Sequence, residues 1–339
     1  MSLVSDQFST APTALGISSR LALQRLHEKK IDPVPLLRRS RLSMDSLNSR
    51  ERICVSAQIE FLDAAAKALD DDCLGISLAG SYDLRELGML YYVAASSFTL
   101  HDALRRLARY SRLGNEAIFG REKHGASCTL EFIFEGVQRH RGRQQIEFLA
   151  ATFVRLCRQV LGRDVKPLST SFVHFRSDDE RSFYSLFGKN IQFGATADEM
   201  KLDPDLFALP LLGFDPFLNE LMSKSCEEAL SKHSRPAGSL RMNVENALAP
   251  LLPHGEARIE VVARRLGLGT RTLLRRLSKE GLRFAEIVED LRRDLAVEYL
   301  REEDLQISQI AWLLGFRSPS AFTHSCQRWF GKPPSALRA

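Results

Sequence analysis

The sequence lacks the features that mark membrane, secreted and metal-dependent proteins. No apolar run approaches the roughly 20 residues that cross a bilayer, and the first residues, MSLVSDQFSTAPTALG, have no basic flank followed by an apolar stretch. The six cysteines, at positions 54, 73, 128, 157, 226 and 326, form no Cys-x-x-Cys pair. We therefore expect reduced thiols, no metal, no membrane association and a cytoplasmic location.

Enzyme motifs are also missing. Neither G-x-S-x-G, H-E-x-x-H, G-x-x-x-x-G-K-[ST] nor G-x-G-x-x-G occurs. His101, His124, His140 and His174 have no second ligand at helical or turn spacing, and the Asp70–Asp72 run fits a solvated helix end. These residues predict no catalytic site and no cofactor, and we expect a protein that is not an enzyme.

Length and charge favour a two-domain protein with a polyanionic partner. The 339 residues suffice for about two domains, and 44% apolar and 26% charged residues are typical of globular proteins. The whole formal net charge of +5 lies from Arg235 onward, where 17 basic residues face 12 acidic ones. An excess of positive charge in the final third of the chain favours binding of a nucleic acid there.

One short pattern occurs twice in that third. The copies, IEVVARRLGLGTRTLLRRLSKEG (259–281) and ISQIAWLLGFRSPSAFTHSCQRWFG (307–331), each place an alanine four residues before a glycine and then continue as a second helical run. A small side chain lets two helices cross closely, and glycine turns the chain between them. The segment 284–302 predicts a linker helix of about 28 Å. The pattern therefore indicates helix-turn-helix units at about 259–280 and 307–330, and with them DNA binding.

The second helix of each unit presents a polar side. In the first unit this side is formed by Arg271, Arg275 and Ser278, with Leu274 and Arg276 at its margins. In the second unit it is formed by Ser320, Thr323, His324, Gln327 and Arg328. Arginine can bridge guanine N7 and O6 and leucine can touch a thymine methyl, whereas we expect Arg328 to reach phosphate. The alternative is that the arginines only solvate the helix. Thr270 and Ser318 are predicted to cap these helices.

The first 212 residues mix helical and strand patterns. We expect a flexible segment at 1–19 and an α+β domain at 20–212. Its strands are predicted at 128–134, 171–177 and 191–193, with one pair of helices around Ser96 and another helix over 146–162. A helix and the linker SRPAGS follow over 213–239, ahead of an all-α domain at 240–339.

These motifs resemble a known family. A-x-x-L-G-x-G-x-R-T-L-x-R-R-L, the spacer and I-A-W-L-L-G-F-x-S-P-S-A-F resemble the DNA-binding domain of AraC/XylS transcription regulators over 240–338. ALRRLARYSRLG (103–114), VHFRSDDERSFYSLFGKNIQFGA (173–195) and LDPDLFALPLLGFDP (202–216) resemble the arabinose-binding-type regulatory domain of one subgroup.

The resemblance implies roles for particular residues. The family's base-contacting positions fall on Arg271, Leu274, Arg275, Pro319, Ser320, Thr323 and His324, the last at a place where arginine is usual. It also implies an N-terminal domain that senses a small-molecule effector and can dimerise; neither the effector nor its binding residues follow from the sequence.

Three functions remain open under this resemblance. One is an activator that recruits RNA polymerase to double-stranded DNA. Another is a repressor or a ligand-independent regulator. The third is a DNA-tethered enzyme, which would need a reactive cysteine in a P-C-H-R-like setting, and Cys54, Cys73, Cys128 and Cys157 have no such neighbours.

Overall fold

The chain divides into two compact units. The computed structural model describes residues 11–123, 128–176, 181–232, 239–302 and 304–338. Most of 11–232 forms the first unit, and 239–338 form the second together with 172–176 and 193–197. Residues 234–238 of the linker predicted at 234–239, the segment 1–10 and His124 lie outside the described residues.

The first unit combines helices with two sheets. Its helices are α1 (Ile17–Glu28), α2 (Val34–Arg39), α3 (Met44–Asn48), α4 (Val55–Leu69), α5 (Leu74–Gly80), α6 (Met89–Ala95), α7 (Leu100–Tyr110), α8 (Arg143–Leu161), α9 (Arg181–Phe187) and α10 (Pro216–Ser231). Its strands are β1 (Thr13–Ala14), β2 (Ile53–Cys54), β3 (Ile118–Lys123), β4 (Cys128–Phe134), β5 (Ser169–Ser171), β6 (Ile191–Gln192) and β7 (Glu199–Leu202). Strand β1 pairs with β2, and the larger sheet has the order β3-β4-β7-β5-β6. All its pairs are antiparallel except β5 with β6. The predicted α+β class is confirmed.

Helix α8 lies at the centre of this unit because nearly all of its side chains are apolar or hydrogen-bonded. Ile146, Ala150 and Val154 are fully buried along it. Gln144 accepts a hydrogen bond from the backbone N–H of Gly75 at the start of α5 (2.8 Å). Buried polar groups on a central helix need such partners.

The structure corrects three boundaries. Inside the segment predicted to be flexible, β1 begins at Thr13 and α1 at Ile17, and Ala14 and Ile17 are buried. The strand predicted at 171–177 ends at Ser171, since the following residues bond irregularly, with Ala195 N donating to Phe172 O (2.9 Å). Helix α10 belongs to the first unit because Cys226 is buried in a cluster with side chains of α6 and α7.

His140 and Asp63 are titratable side chains of the first unit whose pKa values are strongly shifted. His140 is 9% exposed, and neither ring nitrogen has a hydrogen-bond partner among the described residues. Burial, helped by the charges of Arg141 and Arg139, lowers the pKa of His140 to about 3. Burial raises the pKa of Asp63 to about 7, although the positive charge of Arg143 opposes the shift. Both side chains are therefore held largely neutral near pH 6.

The second unit is helical, as predicted. Its helices are α11 (Leu240–Leu248), α12 (Ile259–Arg265), α13 (Thr270–Lys279), α14 (Phe284–Tyr299), α15 (Ile307–Leu313), α16 (Pro319–Phe330) and α17 (Pro334–Leu337). One apolar core joins them, with Leu251, Leu273, Ile310 and Phe322 fully buried. Across the described parts of the chain, no helix is long and apolar enough to cross a bilayer. The same residues bring together no group of three His, Cys, Asp or Glu that could hold a metal ion.

Candidate nucleic-acid interface

The two sequence copies fold into the same turn. In the first, α12 ends and Leu268 N donates to Ala263 O at 2.8 Å; in the second, α15 ends and Phe316 N donates to Ala311 O at 2.8 Å. A bond of this span, with a left-handed residue between, is the Schellman helix ending. Ala263 and Ala311 are each 1% exposed, so the small residue lies where the helices approach.

A glycine completes each turn for a slightly different reason. Gly267 has φ +66° and Gly315 has φ +71°, a left-handed conformation that disfavours other residues. A Cβ on Gly267 would meet no atom within 4 Å, whereas one on Gly315 would lie 2.4 Å from the carbonyl oxygen of Leu252. The second glycine therefore also allows a close backbone contact.

The helix caps differ from the sequence prediction in one unit. Gly269 occupies the N-cap of α13 without a side-chain bond, and Thr270 is already the first helical residue, so the predicted Thr270 cap is wrong. Ser318 does cap α16, because its hydroxyl accepts from Ala321 N (3.2 Å), and Pro319 follows at the first helical position. Glycine serves as an N-cap because it adopts extended φ and ψ freely.

Arginine side chains fix helix α14 to the turn of the second helix-turn-helix unit and to α11. Arg292 donates to Leu314 O (2.9 Å) and Gly315 O (3.0 Å) at the turn of the second unit, and its guanidinium lies 4.8 Å from the centre of the Phe316 ring. Arg241 of α11 donates to Asp290 of α14 (2.8 Å). These bonds hold the linker helix against the second turn and against α11.

The outward face of α13 is basic and exposed. Leu273 and Leu277 are buried, while Arg271, Arg275 and Ser278 are exposed and Leu274 is 49% exposed. Neither guanidinium has an ion-pair or hydrogen-bond partner among the described residues. Helix α13 contains no acidic residue. A helix with this face can present donors to base edges or phosphates.

The outward face of α16 is less strongly charged. Pro319, Ser320, His324 and Gln327 are exposed. Thr323 is half-buried, and its hydroxyl donates to Pro319 O (3.0 Å).

Arg328, also exposed, is already engaged. It pairs with Glu289 of α14, whose Oε1 also accepts from Trp329 Nε1 (2.6 Å). A phosphate contact by Arg328 therefore has to compete with this pair.

Two exposed side chains near α16 were not singled out from the sequence. Trp312 on α15 is 55% exposed although its neighbours Ala311 and Leu313 are buried. Arg317 is exposed in the turn before α16. The tryptophan interrupts the buried pattern of α15, and that interruption is the signal which could have found it.

Known proteins match both units. Residues 31–211 match the family described as the arabinose-binding domain of AraC transcription regulators, N-terminal. The chain belongs to the AraC family of transcriptional regulators. Residues 262–339 match a helix-turn-helix domain, so this AraC-family regulator has a DNA-binding domain and an N-terminal ligand-binding domain, as the sequence motifs predict.

Similar proteins are bacterial regulators. The HTH-type transcriptional regulator VirS of Mycobacterium tuberculosis is 29% identical over 318 residues, covering 93% of each chain. The ornithine utilization regulator of Pseudomonas aeruginosa is 25% identical, covering 87% of this chain and 86% of its own. The crystal structure of the transcriptional regulator CdpR from Pseudomonas aeruginosa is 21% identical, with a TM-score of 0.46 over 95% of this chain and 98% of that one.

Proposed function

We propose that this AraC-family regulator recognises a specific DNA site by placing α13 and α16 in adjacent segments of the major groove. The observation that carries the proposal is the free guanidinium pair of Arg271 and Arg275 on a helix without acidic residues. Arginine in the major groove discriminates guanine through N7 and O6, at about 1–3 kcal/mol for each good contact. Leu274 supplies an apolar contact between them.

The linker helix supports a continuous site. Helix α14 has 16 residues, which corresponds to about 24 Å at 1.5 Å per residue; it is shorter than the 284–302 segment predicted, since Leu300 already ends it. Successive major-groove faces lie roughly 34 Å apart. The chain segments before and after α14 supply the difference between the length of this helix and the spacing of the groove faces.

The second reading helix contributes less charge. On α16, the residues that contact bases are Ser320, His324 and Gln327, and beside them lie Pro319 and Thr323. On α13, Ser278 extends the DNA-contacting surface. Arg328 contributes to phosphate binding only when Glu289 releases it. We therefore assign most of the affinity to the first unit.

In this proposal the N-terminal unit controls the regulator's effect on transcription. The regulator works on DNA in the bacterial cytoplasm as an activator that recruits RNA polymerase, and a small molecule bound in the first unit alters its output. It acts as a homodimer, which the exposed apolar side chains of α10 and its surroundings support: Phe98, Leu212, Phe214, Phe217 and Leu221 are 46–77% exposed.

Binding-site selection with the full chain, followed by gel shifts, tests the DNA contacts. The double variant Arg271→Ala, Arg275→Ala should lose at least about 30-fold in affinity for the selected site, since two base contacts are removed. The control Arg38→Ala, Arg39→Ala removes two exposed positive charges from α2 and should bind normally. Equal affinity of the two double variants would refute the assignment.

A reporter assay tests the sign of regulation. Expression from a promoter that carries the selected site should rise when the regulator gene is present. A fall would identify a repressor instead.

A further inference from the structure

A mostly apolar cavity lies inside the first unit. It measures about 150 Å³ and is walled by α7, α8, β3 and β4, with the beginning of α1 and one residue of α4 at one side. Leu104, Leu107, Phe132 and Phe153 contribute to its walls. A cavity of about this volume has room for a ligand of benzene size.

The lining of the cavity excludes charged ligands. None of its lining residues is Asp, Glu, Lys, Arg or His. Transferring an unpaired carboxylate or ammonium into such surroundings is strongly unfavourable. A bound molecule must therefore be neutral.

The lining also disfavours a sugar, because most of its side-chain oxygens already have hydrogen-bond partners within the protein. Gln145 Oε1 accepts from Ser18 Oγ (3.0 Å) and Gln58 Nε2 (2.7 Å). Thr152 is bonded to Tyr82 (3.1 Å), and Asn115 Oδ1 accepts from two backbone N–H groups at 2.9 and 3.0 Å. A sugar has hydroxyls around its whole ring, and most of them would remain unpaired here.

One acceptor on the cavity lining has no partner. Gln58 is 2% exposed, and its Oε1 accepts no hydrogen bond among the described residues. A buried carbonyl oxygen without a partner costs stability, and a ligand that donates a hydrogen bond to it removes this cost. The unpaired oxygen specifies one donor on an otherwise apolar molecule.

We propose that this cavity is the effector site and that its ligand is a neutral, mostly apolar molecule of phenol size that donates one hydrogen bond to Gln58 Oε1. This assignment rests on the proposed function, in which the first unit senses a small molecule. It implies that the ligand is not a sugar, although the matching domain is described as arabinose-binding.

Isothermal titration calorimetry with the full chain tests the site, using phenol, benzene, benzoate and L-arabinose as probes. Phenol should bind most tightly, benzene roughly three- to tenfold more weakly because it lacks the donor, and benzoate and arabinose not measurably. In Gln58→Leu, phenol should lose its advantage over benzene. Benzoate or arabinose binding as well as phenol would overturn the proposal.

A cavity-filling variant locates the binding. Ala108 on α7 is half-buried and lines the cavity, so Ala108→Phe should abolish phenol binding. Ala64 on α4 is also half-buried but is not part of the lining, and Ala64→Phe is the matched control that should bind phenol normally. If Ala108→Phe is folded and binds phenol as the parent does, the cavity is not the site. If Ala108→Phe does not fold, the ratio of the phenol and benzene affinities in Gln58→Leu decides instead. A ratio unchanged from the parent would overturn the assignment.

A gel shift on the same proteins separates this inference from the proposed function. Specific DNA binding without phenol binding overturns the cavity assignment alone. Cavity-dependent phenol binding without specific DNA binding leaves the ligand site standing and removes the proposed regulation.

Discussion

The duplicated turn offers a sharp test of the packing in the second unit, because its two glycines have the same backbone conformation and different surroundings. Replacing either by alanine forces a Cβ into a left-handed residue, at about 1–2 kcal/mol, partly offset by the lower entropy of the unfolded chain. Gly267→Ala meets nothing further, since no atom lies within 4 Å of the new Cβ.

Gly315→Ala has an additional cost. Its Cβ would lie 2.4 Å from Leu252 O and 3.2 Å from Leu252 C, both backbone atoms that cannot rotate away. Overpacking of this kind costs about 1–3 kcal/mol. The backbone contribution is common to both variants, so Gly315→Ala should be less stable than Gly267→Ala by about 1–3 kcal/mol, or roughly 5–20 °C in Tm for a domain of this size.

Tryptophan fluorescence during urea unfolding of the full chain measures this difference. Both tryptophans of the protein, Trp312 and Trp329, lie in the second unit, so the signal reports that unit and not the first. Equal unfolding midpoints for the two variants would refute the close approach of Gly315 to Leu252.

Three further predictions concern the first unit. Because the His140 pKa is lowered to about 3, the unfolded chain binds the extra proton below pH 6.5; stability should fall by about 2 kcal/mol from pH 7 to 5 in the parent relative to His140→Leu. Because the Asp63 pKa is raised to about 7, the folded chain holds the extra proton, so the parent should lose about 2–3 kcal/mol relative to Asp63→Asn as pH rises from 5 to 8. Calorimetric melts of each variant beside the parent check both, and parallel pH profiles would contradict the burial. Phe217→Asp, at a side chain 77% exposed on α10, should convert a dimer to a monomer in light scattering; an unchanged mass would remove this face from the interface.

Local patterns predicted the second unit well. The alanine-to-glycine spacing located both turns, and the buried pair Leu273 and Leu277 followed from helical periodicity. Ser318 was recognised as a cap because proline follows it, but Thr270 was not distinguishable from Gly269 by residue type alone.

Contacts between residues far apart in the sequence could not be predicted from local sequence patterns. The pair of Arg328 with Glu289 joins residues 39 positions apart, and the Gln58–Gln145 bond joins residues 87 apart. No periodicity links such positions, so neither the engagement of Arg328 nor the cavity could be derived. Strands β3 and β7 do not follow from the sequence because their alternation is weak. Their pairing with β4, rather than a local pattern, stabilises them.

The central claim is that two helices of one chain occupy consecutive major-groove segments. Dimethyl sulfate footprinting on a selected DNA site tests it directly, since the reagent modifies guanine N7 in the major groove. Two protected clusters about one helical turn (~10 bp) apart are expected, with the cluster contacted by α13 lost in the Arg271→Ala, Arg275→Ala variant. A single cluster, or protection that the double variant leaves unchanged, would contradict the account.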